Sequence, residues 1–200
     1  MEQNSDYYDD VYIKGSYDKD PNELPWYPLW RVIVDYIKKH NVGRVIDLGC
    51  GPGHLAQLLY SEVMGLSYSG WDFSKEAINK ARERCPYEGY DFMTGDLRLL
   101  DFSSEMNSGF KSVFVCSEVL EHIEDDLGLL KRLPNNSTVL LTVPNFDDPG
   151  HVRKFAKAKK VRDRYSKILD TIDVFRLSTR KHFFLSGVRN HSIDSGLRIR

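Results

Sequence analysis

The chain has 200 residues, 41% of them hydrophobic, and a formal net charge of −1 at pH 7, which predicts one domain with a proper core rather than a disordered chain. No apolar run approaches the roughly 18 residues of a membrane helix, and the acidic N-terminus does not resemble a signal or transit peptide. The cysteines Cys50, Cys85 and Cys116 are widely spaced and predict neither disulfides nor a zinc site. We therefore expect a cytoplasmic protein.

The first 27 residues are rich in Asp and Tyr and predict an irregular, aromatic-rich arm. Such an arm can close over a ligand as a lid or simply pack against the first helix. From Pro28 to His40 apolar residues recur at helical spacing. We expect a domain over residues 28–200, with a ligand-binding core at 43–145 and a substrate-side insertion with C-terminal strands at 146–200.

Short β-branched runs alternate with helical stretches after Gly43. The pattern predicts helices at 54–64, 75–84 and 124–133, and it predicts strands at 44–49, 66–73, 90–96, 111–119 and 137–145. This alternation is typical of a doubly wound α/β fold, with a mostly parallel sheet and helices on both faces.

The last 50 residues differ in charge from the rest of the chain. Residues 1–150 carry 14 Lys and Arg against 25 Asp and Glu, whereas residues 151–200 carry 14 against 4. We expect one long basic helix over 151–170, a strand or hairpin over 173–186 and a last strand over 192–200. The basic run at 151–167 is either a surface for an anionic partner such as RNA or a solvated helix that pairs with acidic groups of its own chain.

A glycine-rich turn follows the first predicted strand. Asp47, Gly49, Gly51 and Gly53 lie between that strand and a helix, where the carboxyl edge of a parallel sheet offers a ligand crevice. Glycines there allow a tight turn and close approach of a ligand. A dinucleotide fingerprint needs a third glycine where this chain has His54, and the lysine of a P-loop is absent. The turn therefore indicates a nucleotide-type cofactor, argues against NAD and FAD, and is not a P-loop.

Carboxylates close the next two predicted strands. Asp72 ends the second strand and can accept both hydroxyls of a ribose. Asp96 ends the third and could accept a hydrogen bond from the exocyclic amine of adenine. The alternative is that each carboxylate only caps the helix that follows. Together with the glycine turn, the two acids favour one shared crevice.

The segments VIDLGCGPG (45–53), GWDFS (70–74), GDL (95–97) and CSEVLEHI (116–123) resemble those of the class I S-adenosylmethionine-dependent methyltransferases, in particular a small-molecule O-methyltransferase-like subgroup. The resemblance covers roughly residues 28–145 and implies a Rossmann-like fold, S-adenosyl-L-methionine as cofactor and S-adenosyl-L-homocysteine as product. It also implies a set of cofactor-binding residues, which are Asp47, Gly49, Cys50, Gly51, Asp72, Phe73, Asp96, Leu97 and Ser117.

A second cluster, Glu118, Glu121 and His122, follows the fourth strand. If these residues form a helical turn, their side chains can face one point and suit a divalent metal. The pattern is similar to that of the small-RNA 2′-O-methyltransferases and the ubiquinone-biosynthesis O-methyltransferases. The small-RNA enzymes add a later histidine, for which His182 is the best-placed candidate and His151 the other. Alternatively, Glu121 and His122 only shape the pocket floor.

The transfer of a methyl group needs positioning and, for a protonated acceptor, sometimes a base. We expect His122 to serve as that base beside Glu121, unless proximity alone suffices. The favoured function is an S-adenosylmethionine-dependent methyltransferase acting on oxygen or nitrogen of a small molecule. Two alternatives are an RNA 2′-O-methyltransferase with a Glu/Glu/His metal site and a cofactor-binding protein without catalysis. The sequence carries no indication of oligomeric state.

Overall fold

A computed structural model describes residues 2–15, 17–106, 109–179 and 181–190. The last predicted strand, 192–200, lies outside the described residues. Six α-helices and seven strands follow one another along these segments, with short 3-10 helices at Pro21–Glu23 and Ser103–Met106. Their bounds are α1 Ser5–Ile13, α2 Tyr27–Lys39, β1 Arg44–Leu48, α3 His54–Glu62, β2 Ser67–Asp72, α4 Lys75–Arg84, β3 Tyr90–Thr94, β4 Ser112–Ser117, α5 Asp126–Arg132, β5 Thr138–Pro144, α6 Ala158–Tyr165, β6 Leu169–Arg176 and β7 His182–Arg189.

The seven strands form one sheet in the order β3-β2-β1-β4-β5-β7-β6. The first five strands are mutually parallel, whereas β7 runs antiparallel to both β5 and β6. Chain order reverses beside β1, which lies between β2 and β4. A crevice opens at such a reversal, outside the carboxyl ends of the strands. The topology confirms the predicted doubly wound, Rossmann-like α/β fold.

The core divides into two layers because the central strands are apolar on both faces. In β1, Val45 belongs to one buried cluster and Ile46 to the other. The first cluster packs α2, α3 and α4 against one face, and the second packs α5 and α6 against the opposite face. This arrangement confirms the expected helices on both sides of the sheet and fixes the positions of the strand ends.

The N-terminal arm is not irregular, contrary to the prediction. Residues Ser5–Ile13 form helix α1, and the side chain of Asn4 caps it by accepting a hydrogen bond from the Tyr7 amide. Asp and Tyr have modest intrinsic helix propensity, so composition alone did not indicate this helix. Tertiary contacts with the domain, described below, hold it in place.

The predicted long basic helix over 151–170 is also wrong. Only Ala158–Tyr165 is helical, as α6. The segment before α6 is instead hydrogen-bonded to residues at the carboxyl ends of the parallel strands. The Val152 amide donates to the Glu121 carbonyl, and the Phe155 amide donates to the Pro144 carbonyl. The chain then forms the β6–β7 hairpin, one of the two arrangements predicted over 173–186.

The three cysteines are free and buried, as their spacing predicts. Helix α2, with 13 residues, is the longest described helix. Of the helices that the structure describes, none has the length and apolar character needed to cross a membrane.

Candidate functional site

A cavity of about 330 Å³ lies at the carboxyl ends of the central strands. Helix α1 covers it from one side, and the segment after β5 borders it on another. The structure brings together all nine residues that the resemblance assigns to the cofactor, since Asp47, Gly49, Cys50, Gly51, Asp72, Phe73, Asp96, Leu97 and Ser117 all line this cavity.

The glycine turn is shaped by backbone geometry that only glycine adopts easily. Gly49, Gly51 and Gly53 have φ angles of 81°, 53° and 81°. A Cβ atom at Gly49 would lie 2.3 Å from the side chain of Val119. The amides of Gly49 and Cys50 both donate to the Trp71 carbonyl, at 2.7 and 3.0 Å, so the turn is anchored to the end of β2.

Asp72 is held by backbone donors at the end of β2. Its Oδ2 accepts from the Gly51 amide at 3.0 Å, and its Oδ1 accepts from the Ser74 amide at 2.9 Å. Burial raises the pKa of Asp72 to about 6, against the lowering effect of these hydrogen bonds. Ser74, not Asp72, caps α4, through the Ala77 amide. The carboxylate is therefore fixed at the cavity wall for a ligand.

Asp47 lies deeper, 3% exposed. Its Oδ2 accepts from the Tyr68 hydroxyl at 2.6 Å, whereas its Oδ1 has no hydrogen-bond partner. Burial raises the pKa of Asp47 to about 7, although the Tyr68 hydrogen bond opposes the rise. An unpaired buried carboxylate oxygen in a cavity wall is suited to a cationic or hydrogen-donating ligand.

Asp96 already has a partner in this structure. Its two oxygens accept from the Arg98 guanidinium, which also pairs with Glu2 of the arm. The Arg98 hydrogen bond lowers the pKa of Asp96. The sequence did not indicate that the Arg98 guanidinium would bind this carboxylate.

Glu118 and His182 contact each other near the carboxyl end of β5. Glu118 has a left-handed φ of 58°, and its Oε1 accepts from the Thr142 hydroxyl at 3.0 Å. His182 Nε2 lies 3.1 Å from Glu118 Oε2. His182 is not among the residues lining the cavity. Among the described residues, the group of ligand atoms lying within 4.8 Å of one another belongs to Glu121, His122 and His151. The predicted four-residue metal set that includes His182 therefore stays a prediction.

The carboxylate of Glu121 is buried without a hydrogen-bond partner on either oxygen. Burial, reinforced by Glu118, raises its pKa well above the usual value. His122 Nε2 lies 3.9 Å from Glu121 Oε1. Burial and then His151 lower the pKa of His122, so its imidazole is neutral near pH 7.

The tautomers of the two cavity histidines follow from their backbone partners. His122 Nδ1 lies 3.2 Å from the Gly150 carbonyl, and His151 Nδ1 lies 3.3 Å from the Phe146 carbonyl. A carbonyl only accepts, so each Nδ1 carries a proton, and in a neutral imidazole Nε2 is then the acceptor. The rings meet edge to face with centroids 4.8 Å apart. The sequence analysis ranked His151 below His182, and no local motif marks it.

The arm supplies part of the cavity wall. The Tyr8 ring contacts His122 edge to face, with centroids 5.7 Å apart, and lies 5.3 Å from the Phe73 ring. Asp9 Oδ1 accepts from the Ser74 hydroxyl and the Glu76 amide at the start of α4. These contacts place α1 beside the crevice. Opening and closing of the arm stays a prediction.

His54 lines the cavity, and its side chain is hydrogen-bonded to the arm. Its Nε2 donates to the Tyr17 carbonyl at 3.0 Å. Burial and the nearby Arg84 lower its pKa to about 4.

The profile of a protein family described as "Methyltransferase domain" matches residues 39–167. The trans-aconitate 2-methyltransferase of Mycobacterium marinum is 32% identical over 168 residues, which are 82% of this chain and 57% of that protein. A probable trans-aconitate 2-methyltransferase of Mycobacterium tuberculosis is 32% identical over 82% of this chain and 58% of its own length. The chain thus spans little more than half the length of these curated relatives.

Solved structures share the fold at low sequence identity. The methyltransferase domain of a bacterial Hen1 superposes with a TM-score of 0.60 at 20% identity, over 80% of this chain and 97% of that domain. Human N-acetylserotonin methyltransferase, in complex with S-adenosylmethionine, superposes with a TM-score of 0.61 at 16% identity, over 82% of this chain and 52% of its own.

Proposed function

The chain belongs to the class I S-adenosylmethionine-dependent methyltransferases, and on that premise we propose that it binds S-adenosylmethionine in the cavity and transfers its methyl group to a small-molecule acceptor. The observation that carries the proposal is the convergence of nine motif residues on one cavity at the switch point of the sheet. The curated relatives carry the names of enzymes that methylate a small acid, which supports a small-molecule acceptor.

In this proposal the cofactor lies along the carboxyl ends of β1, β2 and β3. Asp72 accepts hydrogen bonds from the ribose hydroxyls, and its two backbone donors keep it oriented. The glycine turn holds the methionine part, where the unpaired Oδ1 of Asp47 suits a cationic group. Phe73 and Leu97 flank the adenine, and Asp96 exchanges its contact with Arg98 for one with the adenine amine.

The cofactor supplies an electrophilic methyl group on a positive sulfur. The protein positions the acceptor in line with it and excludes water. His122 Nε2 is neutral and free to take a proton from the acceptor, because the Gly150 carbonyl fixes the proton on Nδ1. Glu121 Oε1 lies 3.9 Å from His122 Nε2, where its ionised carboxylate would stabilise the imidazolium that forms.

An RNA acceptor is not favoured. The curated relatives are named for a small-molecule acceptor, and the basic helix covers only Ala158–Tyr165. Several of its cations are engaged within the chain, since Arg164 pairs with Asp126 and Lys159 pairs with Asp163. This is the self-pairing weighed against RNA binding in the sequence analysis. The cytoplasmic location stays a prediction.

The proposal is tested by calorimetric titration with S-adenosylmethionine and S-adenosylhomocysteine, followed by a search for turnover on fractionated small-molecule extracts. We expect both ligands to bind. His122→Gln should lower turnover roughly 10²–10⁴-fold, the usual contribution of a general base, with cofactor affinity unchanged. His40→Gln, at a histidine stacked on Tyr36 outside the cavity lining, is the matched control.

Absence of cofactor binding would refute the proposed function. Cofactor binding without turnover on any fraction would favour a protein that keeps the fold without catalysis. Full turnover in His122→Gln would show that His122 is not the general base and that positioning of the acceptor is sufficient.

A further inference from the structure

Three potential ligand atoms converge beside the proposed cofactor site. They are a carboxyl oxygen of Glu121 and one ring nitrogen each of His122 and His151, all within 4.8 Å of one another. Both histidines hold their proton on Nδ1, against backbone carbonyls. The Glu121 carboxylate is fully buried and lacks a hydrogen-bond donor. Such a group is costly to leave unsatisfied, so the site is suited to a ligand that brings donors or positive charge.

The charge of the cavity wall also favours a ligand that carries positive charge. Among the described lining residues, Arg98 is the one Lys or Arg, and Asp96 and Glu2 already bind it. The Arg153 guanidinium acts on Glu121 electrostatically but is paired with Asp126. Acidic side chains dominate the lining, which includes Glu2, Asp47, Asp72, Asp96, Glu118, Glu121 and Asp148.

The spacing of the three atoms can accommodate an ammonium group. An ammonium nitrogen that donates to three acceptors at about 2.9 Å in tetrahedral directions separates them by about 4.7 Å. A zinc ion with ligands at about 2.1 Å separates them by about 3.4 Å. The 3.9 Å between His122 Nε2 and Glu121 Oε1 lies between these two values, and all three atoms lie within 4.8 Å of one another. The aromatic rings beside the site, described below, favour the organic cation over the metal.

We propose that the methyl acceptor is a primary amine whose ammonium group is bound by Glu121, His122 and His151. The inference rests on the proposed function and narrows it to transfer onto nitrogen. One ammonium proton passes to His122 Nε2, and the freed nitrogen lone pair forms a bond to the methyl carbon. The carbon–sulfur bond breaks with its electron pair remaining on sulfur, which leaves S-adenosylhomocysteine, a methylated ammonium and a proton on His122 for release to solvent.

The rings of Tyr8 and Phe146 border the site and suit an organic cation. Tyr8 contacts the His122 ring and Phe146 contacts the His151 ring, the latter at a centroid distance of 5.7 Å. Aromatic faces attract ammonium groups. A tricarboxylate such as the acceptor named for the mycobacterial relatives would instead meet an acidic wall with no free guanidinium or ammonium among the described lining residues. The acceptor of this chain therefore differs in charge from theirs.

The test compares three probes that share a ring and a two-carbon spacer, namely phenethylamine, 2-phenylethanol and 3-phenylpropanoate. Each is titrated by NMR into protein kept in EDTA, with and without S-adenosylhomocysteine. We expect the amine to bind at least tenfold more tightly than the alcohol, and the carboxylate not to bind. Glu121→Gln should reduce amine affinity to that of the alcohol. Asp147→Asn removes an exposed neighbouring charge outside the cavity lining and should change nothing.

Equal affinity for amine and alcohol would overturn the inference, and so would tighter binding of the carboxylate or of trans-aconitate. In either case, binding of S-adenosylhomocysteine would still uphold the proposed function. Failure of S-adenosylhomocysteine to bind would overturn the proposed function, and the titrations without it still report on the three atoms. Mn²⁺ and Zn²⁺ are titrated into EDTA-stripped protein as a further arm. Tight metal binding that blocks the amine and is lost in Glu121→Gln would assign the atoms to a metal and refute the amine site.

Discussion

Replacing Asp72 with alanine should separate cofactor affinity from the stability of the ligand-free protein. The substitution removes the acceptor for the Gly51 and Ser74 amides, and leaving buried donors unpaired costs about 1–3 kcal/mol each. The unfavourable free energy of burying the charged carboxylate, which the substitution removes, offsets this loss of stability. The pKa of Asp72 rises from 3.8 to about 6 as the net result of burial and these hydrogen bonds, so the folded protein disfavours the charged carboxylate by about 3 kcal/mol at neutral pH, and the substitution relieves this.

The two effects are similar in size, so the unfolding free energy of the ligand-free variant should stay within about 2 kcal/mol of wild type. Cofactor binding has no such compensation. A ribose hydroxyl that loses a charged acceptor forfeits about 1.5–3 kcal/mol, which is roughly a 10–150-fold weaker affinity.

Calorimetric titration with S-adenosylmethionine and chemical denaturation of the same samples measure the two quantities. Asp91→Ala, at an exposed carboxylate on β3, is the matched control and should leave affinity unchanged. An affinity within twofold of wild type in Asp72→Ala would refute the assignment of the ribose site.

Three further predictions follow from the cavity wall and the glycine turn. Asp47 and Asp72 have pKa values of about 7 and about 6, so binding of the positively charged cofactor at pH 6.5 should release protons from them. Calorimetry in buffers of different ionisation heat measures this proton release. A release that is as large at pH 8.5 as at pH 6.5 would contradict the prediction. A raised carboxyl pKa stabilises the fold below about pH 4, and this contribution is lost as pH rises through about 7; Asp47→Asn should therefore show a flatter pH profile of unfolding free energy, and an unchanged slope would count against the shifted carboxyl. Gly49→Ala should be more destabilising than Gly65→Ala in thermal melts, because both positions have positive φ but only the Gly49 Cβ would overlap a neighbour, at 2.3 Å; equal losses would show that the overlap relaxes.

Local chemistry made the crevice predictable. The buried strand Arg44–Leu48 and the glycine turn after it depend on residue types whose preferences act within a few positions. Contacts between residues that are distant in sequence are harder to predict. His151 meets His122 only because the segment from β5 to α6 turns back across the site, and that path carries no periodicity. Helix α1 was missed for a related reason, since its support comes from α4 rather than from its own sequence.

The arm is held to the domain in part by ion pairs. No residue of α1 is fully buried, and the arm is attached through polar pairs such as Asp18 with Lys80 and Glu2 with Arg98. Exposed pairs of this kind contribute at most about 1 kcal/mol each, so the segment can detach by local unfolding while the sheet stays intact. The residence time of a bound nucleoside should therefore be set by this local equilibrium. Because salt weakens such pairs, product release should accelerate with ionic strength even where global stability does not change.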